Sequence, residues 1–413
     1  MTPKFTLAEI LESGNNLFKN KNVVKPNYAL GSIDDILHRD AEIRTFFEYL
    51  KDIFYGVSPS NVFLYGKPGL GKTALTTLIL DEIIREAENR GIDLCVINVN
   101  CDVIRTEHAI IQMITRELPL PAGEKRRVIG NSIAKHNTYF KELVDSYPGI
   151  IIIVFDELDK AVNPDMINRI IRTQSKASGQ FPTVIGITND LELKDRFSPH
   201  LKSVLCENGL IINPYNALQL TDILRARAEI AFKPDVVPQD VISLCAAYAA
   251  QEHGDVRRAI DLLRVSGEIA ESKKHSVIEE EDVRAAHDKL ELDRIIEVVK
   301  TLPTQSKTAL LACIYVDDTP KENDTNNIYT VYKAICQDVG IDILTQRRMN
   351  DLLSELNQLG IIEESKLFKG RYGRKKVITK ISTKELVLKA LYQDFHLSDI
   401  AETPRRNYLI NLQ

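Results

Sequence analysis

The chain lacks the features of a secreted or membrane-spanning protein. Its cysteines are scattered and none forms a C-x-x-C pair; they are Cys95, Cys101, Cys206, Cys245, Cys313 and Cys336. This spacing argues against a disulfide framework and against a zinc site. No run of about 18 apolar residues occurs, which argues against a membrane span. Residues 1–5 do not have the pattern of a signal peptide. We therefore expect a cytoplasmic protein with free thiols and no membrane partner.

An excess of basic charge is also absent. Lys and Arg number 53 against 58 Asp and Glu, so the formal net charge is −5. Any binding to nucleic acid must therefore come from a local basic patch. The apolar fraction of 44% and the charged fraction of 27% are ordinary for a globular protein. A length of 413 residues predicts two or three domains.

What the sequence does contain is a glycine-rich loop. Residues 66–73 read GKPGLGKT and match the phosphate-binding pattern G-x-x-x-x-G-K-[ST]. A short apolar strand pattern precedes the loop and helical spacing follows it, over residues 74–90. Glycines let backbone N–H groups approach a triphosphate, and the helix N-terminus adds partial positive charge. We predict that Lys72 contacts the β- and γ-phosphates and that Thr73 binds Mg²⁺.

The whole loop is predicted to contact the nucleotide. The residues in question are Gly66, Lys67, Pro68, Gly69, Leu70, Gly71, Lys72, Thr73 and Ala74. Leu70 is expected to face away from the phosphates. The alternative is an ordinary Gly-Pro turn before a helix.

Two later segments have the pattern of buried parallel strands that end in polar residues. Residues 149–159 read GIIIIVFDELD and residues 183–190 read TVIGITND. Open α/β sheets bind ligands at the carboxyl ends of their strands. We predict that Asp156 holds Mg²⁺, that Glu157 is the catalytic base and that Asn189 orients the attacking water. The alternatives are an acidic N-cap and a simple turn.

The middle of the chain is predicted to be helical. From residue 216 to residue 300 only helical patterns occur, and one of these helices begins within GDVRRAI, residues 254–260. Arg257 in a first turn opposes the helix dipole, a mild penalty that is explained if it faces a phosphate. The alternative is a solvated arginine. The predicted domains are an α/β nucleotide-binding domain at 1–213, a helical lid at 214–300 and a third domain at 301–413.

The third domain has the pattern of a winged helix. Three predicted helices at 306–316, 327–339 and 345–359 precede a hairpin at 361–368 and 375–381. Residues 366–380 contain Lys and Arg but no acid, which suits a sugar-phosphate backbone or a minor groove. The predicted DNA contacts are Thr345, Gln346, Arg347 and Arg348 on the third helix and Arg371, Tyr372, Arg374 and Lys375 on the hairpin. The alternatives are a solvated basic loop and a winged helix that contacts protein.

Together these segments closely resemble the archaeal origin-recognition replication initiators, AAA+ proteins related to the eukaryotic origin recognition complex and helicase-loading factor. The matching segments are LHRD (37–40), SNVFLYGKPG (60–69), VNC (99–101), FDELD (155–159), GITND (186–190), GDVRRA (254–259), LTQRR (344–348) and KGRYGR (369–374). The resemblance implies an α/β AAA+ base with a parallel sheet, an all-α lid and a C-terminal winged-helix domain.

The resemblance also implies roles for individual residues. Asn189 matches the first sensor and Arg257 the second sensor, so both join Glu157 as catalytic residues. His38 and Arg39 match a segment near the adenine in this family. Arg105 falls in a segment that touches DNA in initiators. The implied ligands are ATP or ADP with Mg²⁺, and the implied partners are double-stranded origin DNA, the replicative helicase and paralogous initiators on the nucleoid.

One segment departs from the family pattern. After the first sensor the family commonly has an arginine in R-V-x-S, whereas residues 200–204 here read HLKSV. The expected arginine finger is therefore missing there, and Arg196 is the candidate substitute. An absent finger costs about 10³–10⁵-fold in the rate of phosphate-loop enzymes. We predict slow ATP hydrolysis, with the nucleotide acting mainly as a conformational switch.

Three functions stay open from the sequence. The first is an ATP-dependent initiator that binds duplex origin DNA and helps recruit or load the replicative helicase. The second is a nucleotide-switched transcriptional regulator on the same scaffold. The third, an AAA+ remodeller that acts on protein alone, is disfavoured by the basic hairpin and the arginines of the third helix.

Overall fold

A computed structural model of the chain describes residues 17–25, 28, 30–121, 123–127, 130, 132–163, 166–199, 201–202, 208–368, 374–381, 384–401 and 406–409. Within these ranges the side chains of residues 194, 366–368, 374, 375, 399, 401, 406 and 407 are outside the description. The chain forms two compact units, Met1–Val283 and Arg284–Gln413. No helix of this described part is long and apolar enough to cross a bilayer.

A parallel sheet forms the base of the first unit. Its strands are β1 (Val62–Tyr65), β2 (Leu94–Asn100), β3 (Ile150–Asp156), β4 (Thr183–Thr188) and β5 (Asn208–Ile211). Their order across the sheet is β2-β3-β4-β1-β5, and all the pairings are parallel. The polar residues that follow β1, β3 and β4 therefore emerge at one edge.

Helices cover both faces of this sheet. They are α1 (Asp40–Leu50), α2 (Lys72–Asn89), α3 (Glu107–Glu117), α4 (Ile133–Ser146), α5 (Met166–Ile171) and α6 (Leu193–Arg196). Along β3, Ile150 and Ile152 pack with α1 and α2, whereas Ile151 and Ile153 pack with α3 and α4. Burial on both faces explains why this strand is apolar throughout.

Three helices follow the sheet in the first unit. They are α7 (Ala217–Ala231), α8 (Gln239–Gln251) and α9 (Val256–Ser272), and α10 (Glu280–Thr301) continues past the end of the unit. Residues 17–25 pack on α7 and α9: the Phe18 and Phe232 rings are 4.5 Å apart, and Leu17 N–H donates to Glu271. The start of the described chain therefore belongs to this helical layer.

The second unit contains helices and a hairpin. Its elements are α11 (Thr304–Asp317), α12 (Thr325–Val339), α13 (Gln346–Gln358), β6 (Ile362–Phe368), β7 (Arg374–Ile381), α14 (Lys384–Tyr392) and α15 (Arg406–Leu409). The hairpin is antiparallel, from Ile362 opposite Ile381 to Phe368 opposite Arg374. Three helices followed by a hairpin confirm the winged-helix prediction.

The sequence-based description of the sheet was incomplete. It expected three core strands, whereas the sheet has five. The two strands that were not predicted are β2 and β5. The sequence of β2, LCVINVN, includes polar residues at a sheet edge, and β5 is only four residues long. Helix α1 was also not predicted, although Phe46 and Leu50 are fully buried in the core beside α2.

A buried ion pair in the second unit gives a stability prediction. Lys307 Nζ lies 2.6 Å from Asp394 Oδ2, with only 9% and 13% of the two side chains exposed. Burial opposes the ionisation of Asp394, but the hydrogen bonds from Lys307 and from the His396 N–H outweigh it and lower the pKa of Asp394. Asp394→Ala leaves the Lys307 ammonium buried without this partner, so we expect a loss of about 3–5 kcal/mol in free energy of unfolding.

Urea denaturation measures this loss. The matched control is Glu363→Ala, whose partner Lys380 and own side chain are 68% and 62% exposed, and for which about 0–1 kcal/mol is expected. Equal effects of the two substitutions would contradict the prediction.

Candidate functional site

The glycine-rich loop joins β1 to α2 in the conformation expected of a phosphate-binding turn. Gly69 and Gly71 have φ angles of +78° and +83°, in the left-handed region that favours glycine. A Cβ at Gly69 would lie 2.0 Å from Asp255 Oδ1, so an aspartate from the helical layer touches the loop. Helix α2 begins at Lys72, and its N-terminus points into this loop.

Lys72 is the centre of the loop. Only 6% of this residue is exposed, and its Nζ donates to Gly66 O and Lys67 O, each at 2.7 Å, and to Asn189 Oδ1 at 2.8 Å. Burial lowers the pKa of Lys72 to about 8; Asp156 opposes this shift and the charge of Arg257 adds to it. The structure therefore places the Lys72 ammonium in direct contact with the Asn189 side chain.

The predicted metal ligands also lie side by side. Thr73 Oγ1 donates to Asp156 Oδ2 at 3.0 Å, at the carboxyl end of β3. A hydroxyl and a carboxylate next to a phosphate loop are oxygen donors that suit Mg²⁺. The residues present therefore fit this ion.

Glu157 follows Asp156 in a strained backbone conformation. Its φ of +52° is uncommon for a residue other than glycine, and such strain clusters at functional sites. Its side chain caps no helix: the 3-10 turn Leu158–Lys160 has no side-chain cap. Within the described residues, the Glu157 carboxylate has no hydrogen bond or ion pair. Its carboxylate is therefore not held by another side chain of this described part.

Asp159 is a site residue to which sequence analysis assigned no role. Its Oδ1 accepts from Thr188 Oγ1 at 2.9 Å and from the Asn189 N–H at 3.1 Å. These bonds hold the end of β4, and so the Asn189 side chain, against β3. The FDELD segment contains this residue, but only the pairing of β3 with β4 explains its role.

The helical layer adds Arg257 from the opposite side. Asp255 caps α9 by accepting from the N–H groups of Arg257 and Arg258 at 2.8 and 3.2 Å. The Arg258 guanidinium bonds Glu252 at 3.0 Å, whereas the exposed Arg257 forms no ion pair with any residue that the structure describes. Asp255, two residues before Arg257, contacts Gly69, so the start of α9 lies beside the loop.

A cavity of about 320 Å³ adjoins the loop. Leu70, Gly71 and Ala74 line one part of it, so Leu70 contacts this space although it was expected to be of minor importance. The other walls come from residues 28, 30, 31 and 34–37 and from α7, including Tyr28 and Arg227. Such a mainly apolar recess beside a phosphate loop is the form of a nucleobase pocket.

Arg39 and His38 lie in different surroundings. Arg39 lines the cavity; its guanidinium stacks 3.9 Å from the centre of the Tyr215 ring and bonds Glu42 and the Asn213 carbonyl at 2.6 and 2.7 Å. His38 does not line it. Its Nε2 lies 3.0 Å from Asp222 Oδ2 on α7. Arg39 is therefore part of the cavity wall. His38 instead connects the sheet domain to the helical layer through its bond to Asp222.

The sequence analysis missed Tyr28, Tyr215 and Arg227. Each lies outside the recognised motifs, and the three residues meet because separate segments of the chain line one cavity. Tyr215 follows Pro214 at the predicted domain boundary, which was the one available signal.

The predicted DNA-contacting residues fall into two groups. Arg105 lies in the turn before α3, where its guanidinium bonds Asp102 Oδ1 at 2.7 Å. In the second unit, Thr345 caps α13 and Gln346 bonds Asn326 at 2.6 Å.

The arginines at the start of α13 are solvent-facing. Arg347 is exposed, and Arg348 is exposed 3.7 Å from Asp351. Arg371 and Tyr372 lie outside the described residues, and Arg374 and Lys375 are described in backbone only, as part of β7. The helix therefore presents two guanidinium groups to solvent.

The proposed substitute for the arginine finger is engaged within its own chain. Arg196 forms an ion pair with Asp190, directly after Asn189. The other residues of interest in this segment, His200 and Val204, lie outside the described part of the chain.

Three family models match the chain. The model for the ATPase family associated with various cellular activities (AAA) covers residues 62–205. The Cdc6 AAA+ ATPase-type lid domain covers residues 221–288, and the CDC6 C-terminal winged helix domain covers residues 297–390.

Full-length relatives agree with these matches. The chain is 40% identical over 405 residues to ORC1-type DNA replication protein 1 of Methanosarcina mazei, across 96% of this chain and 95% of the relative. It is 38% identical to the ORC1-type DNA replication protein of Pyrococcus furiosus, across 95% and 94% of the two chains. The solved structure of the Aeropyrum pernix ORC1 protein in complex with DNA matches with 35% identity and a TM-score of 0.75, over 93% of this chain and 99% of that chain.

The depressed pKa of Lys72 predicts that nucleotide binding takes up a proton. Its pKa of about 8 lies below the ordinary 10.5, so the ammonium loses its proton as pH rises through about 8. Phosphates favour the charged form and raise this pKa. We expect ATP affinity to fall above pH 8 and binding at about pH 9 to take up part of a proton.

Calorimetry in two buffers of different ionisation enthalpy measures that uptake. Lys72→Arg is the control, because its guanidinium stays protonated. Identical binding heats for the unaltered chain in both buffers would refute the prediction.

Proposed function

The chain belongs to the AAA+ family of ORC1-type DNA replication proteins, and on that premise we propose that it is an ATP-dependent replication initiator. Nucleotide binds between the sheet and the helical lid, and the winged helix binds double-stranded origin DNA. The chain then helps to recruit or load the replicative helicase. Further proposed partners are paralogous initiators on the same DNA, and the proposed location is the nucleoid in the cytoplasm.

One observation carries the nucleotide half of this proposal. Four predicted groups from three separate segments converge: Lys72 bonds Asn189, and Thr73 bonds Asp156. A chance Gly-Pro turn would not bring the ends of β3 and β4 to the loop with these side chains inward.

The geometry supports a division of roles. Thr73 and Asp156 are the residues that would hold Mg²⁺, which would neutralise charge on the phosphates. Lys72 and Arg257 bind phosphate oxygens from opposite sides, and Asn189, held by Asp159, orients the attacking water. Glu157 takes the proton of that water.

We propose that turnover is slow and that nucleotide acts mainly as a switch. Arg196, already paired with Asp190, is poorly disposed to reach a neighbouring site. Hydrolysis without an arginine finger is slower by about 10³–10⁵-fold in phosphate-loop enzymes. The contact of the lid residue Asp255 with Gly69 supports a switch, since it couples the loop to the lid.

The proposed binding of DNA rests on helix α13 and on the similarity to the Aeropyrum pernix ORC1 protein. Arg347 and Arg348 project from the start of a recognition-type helix, where guanidinium groups contact phosphates or guanine. The Aeropyrum pernix ORC1 protein was solved in complex with DNA. Arg105, held by Asp102 within the first unit, is a second proposed contact, and Arg371, Tyr372, Arg374 and Lys375 on the hairpin remain proposed contacts.

A transcriptional regulator is the second candidate function. It uses the same nucleotide site and winged helix, and the engaged Arg196 favours it because a regulator needs no rapid hydrolysis. Both candidates predict DNA binding, so only the genomic sites of binding separate them.

Glu157→Gln is expected to leave ATP binding intact and to lower the turnover rate by about 10²-fold or more, because the amide accepts no proton. Release of phosphate measures turnover and calorimetry measures binding. The control is Glu82→Gln on α2, where Glu82 is exposed and pairs with Arg85. Turnover equal to that of the control would remove Glu157 from the role of base.

A genome-wide occupancy map in the source cell tests the initiator function. We expect a few sharp peaks at replication start sites, which disappear in an Arg347→Ala/Arg348→Ala double variant. Arg85→Ala, which removes an exposed arginine from α2, should keep them. Peaks concentrated at promoters would instead favour the regulator, and peaks that survive in the double variant would remove α13 from DNA contact.

A further inference from the structure

Arg227 is a cation in the cavity that the nucleotide roles above do not use. It lies on α7, is half-buried and lines the 320 Å³ cavity together with Tyr28, Leu37 and Ala74. Burial lowers the pKa of Arg227, whereas the charges of Tyr28 and Asp35 oppose this shift. A guanidinium in such a position needs hydrogen-bond acceptors or an aromatic face.

Within the described part of the chain, the contact that Arg227 makes is with an aromatic face. The Arg227 guanidinium lies 5.1 Å from the centre of the Tyr28 ring. Asp35 is the nearby acid, but its Oδ2 accepts from the Gly31 and Ser32 N–H groups, each at 2.9 Å. Among the residues that the structure describes, no carboxylate forms an ion pair with Arg227.

Its neighbour on the same helix is different. Arg225 is exposed and fully engaged: it bonds Asp222 at 3.1 Å and Gln239 Oε1 at 3.1 and 3.2 Å. Two arginines two residues apart therefore have opposite environments. One is satisfied at the surface, whereas the donors of the other face a cavity.

Arg227 and the proposed phosphate ligand Arg257 lie on different helices of the lid, α7 and α9. Arg227 contacts Tyr28 in one wall of the cavity, and Gly71 and Ala74 form the loop side of the same cavity. Arg227 therefore belongs to a wall that the loop does not form.

We propose that Arg227 is a specificity residue that donates hydrogen bonds to the base or ribose of the bound nucleotide. This inference rests on the proposed nucleotide site. Planar N–H donors match ring nitrogens and hydroxyl oxygens, which are the acceptors of an adenosine moiety. Since Arg227 belongs to the lid, the contact ties the lid to the base-ribose half of the ligand, while Arg257 ties it to the phosphates.

Calorimetry of the full chain with ATP and with ADP tests the proposal. Arg227→Met keeps the aliphatic bulk and removes the donors, so we expect both affinities to fall by the same factor, about tenfold. Arg225→Met is the matched control and should bind as the unaltered chain does. Arg227→Lys should stay weak, because an ammonium lacks the planar fork.

The outcomes separate the possibilities. Affinities of Arg227→Met equal to those of Arg225→Met overturn the proposal, as does a loss confined to ATP, which would mark a phosphate contact. A tenfold loss that persists with 2′-deoxy-ATP assigns the acceptor to the base or the 3′-hydroxyl, and a loss that vanishes assigns it to the 2′-hydroxyl; both support the proposal.

Absence of ATP and ADP binding by the unaltered chain would instead overturn the nucleotide site itself. Equal melting temperatures of the two Met variants exclude misfolding, and Arg227→Lys gives a second test if they differ.

Discussion

The desolvated ammonium of Lys72 is the interaction on which the nucleotide site depends. A buried cation must be satisfied, and here two carbonyls of the loop and the Asn189 side chain provide the acceptors. These bonds fix the curvature of the loop and bind the start of α2 to the end of β4. Asp159 then extends the network to β3 through Asn189. Three segments of the sheet edge are thus held in one arrangement, in which Thr73 meets Asp156.

A second constraint is the path of the chain before α1. Residues 17–25 pack on the lid helices, and residues 28, 30, 31 and 34–37 line the cavity. His38 bonds Asp222 of the lid, while Arg39 is buried against Tyr215. A movement of the lid must therefore strain or release this segment. The lid thus has three contacts around the space where a nucleotide would bind. They are Asp222 with His38, Tyr215 with Arg39, and Asp255 with Gly69.

The sequence was most informative where chemistry needs particular residues at particular spacings. The glycine loop, the FDELD and GITND segments and the GDVRR segment predicted the polar groups of the site, because backbone geometry and charge limit what can stand there. The sequence was least informative about the walls of the cavity, which are built from residues that belong to no motif. Tyr28 and Arg227 belong to no motif, since their role depends on a meeting of distant segments. Strand β2 was not predicted because it lies at the edge of the sheet. Polar residues are tolerated there, and they hide the periodicity by which a strand is recognised.

By itself, the sequence determined the order of domains, the phosphate loop and the identity of the groups around it. Local periodicity and turn chemistry are sufficient for those features, because they depend on neighbours along the chain. Only the tertiary structure decided that Asp159 supports Asn189, that His38 faces the lid and that Arg227 is left facing a cavity while Arg225 is paired. Each of these depends on which distant side chain supplies the hydrogen-bond partner, and no local pattern records that.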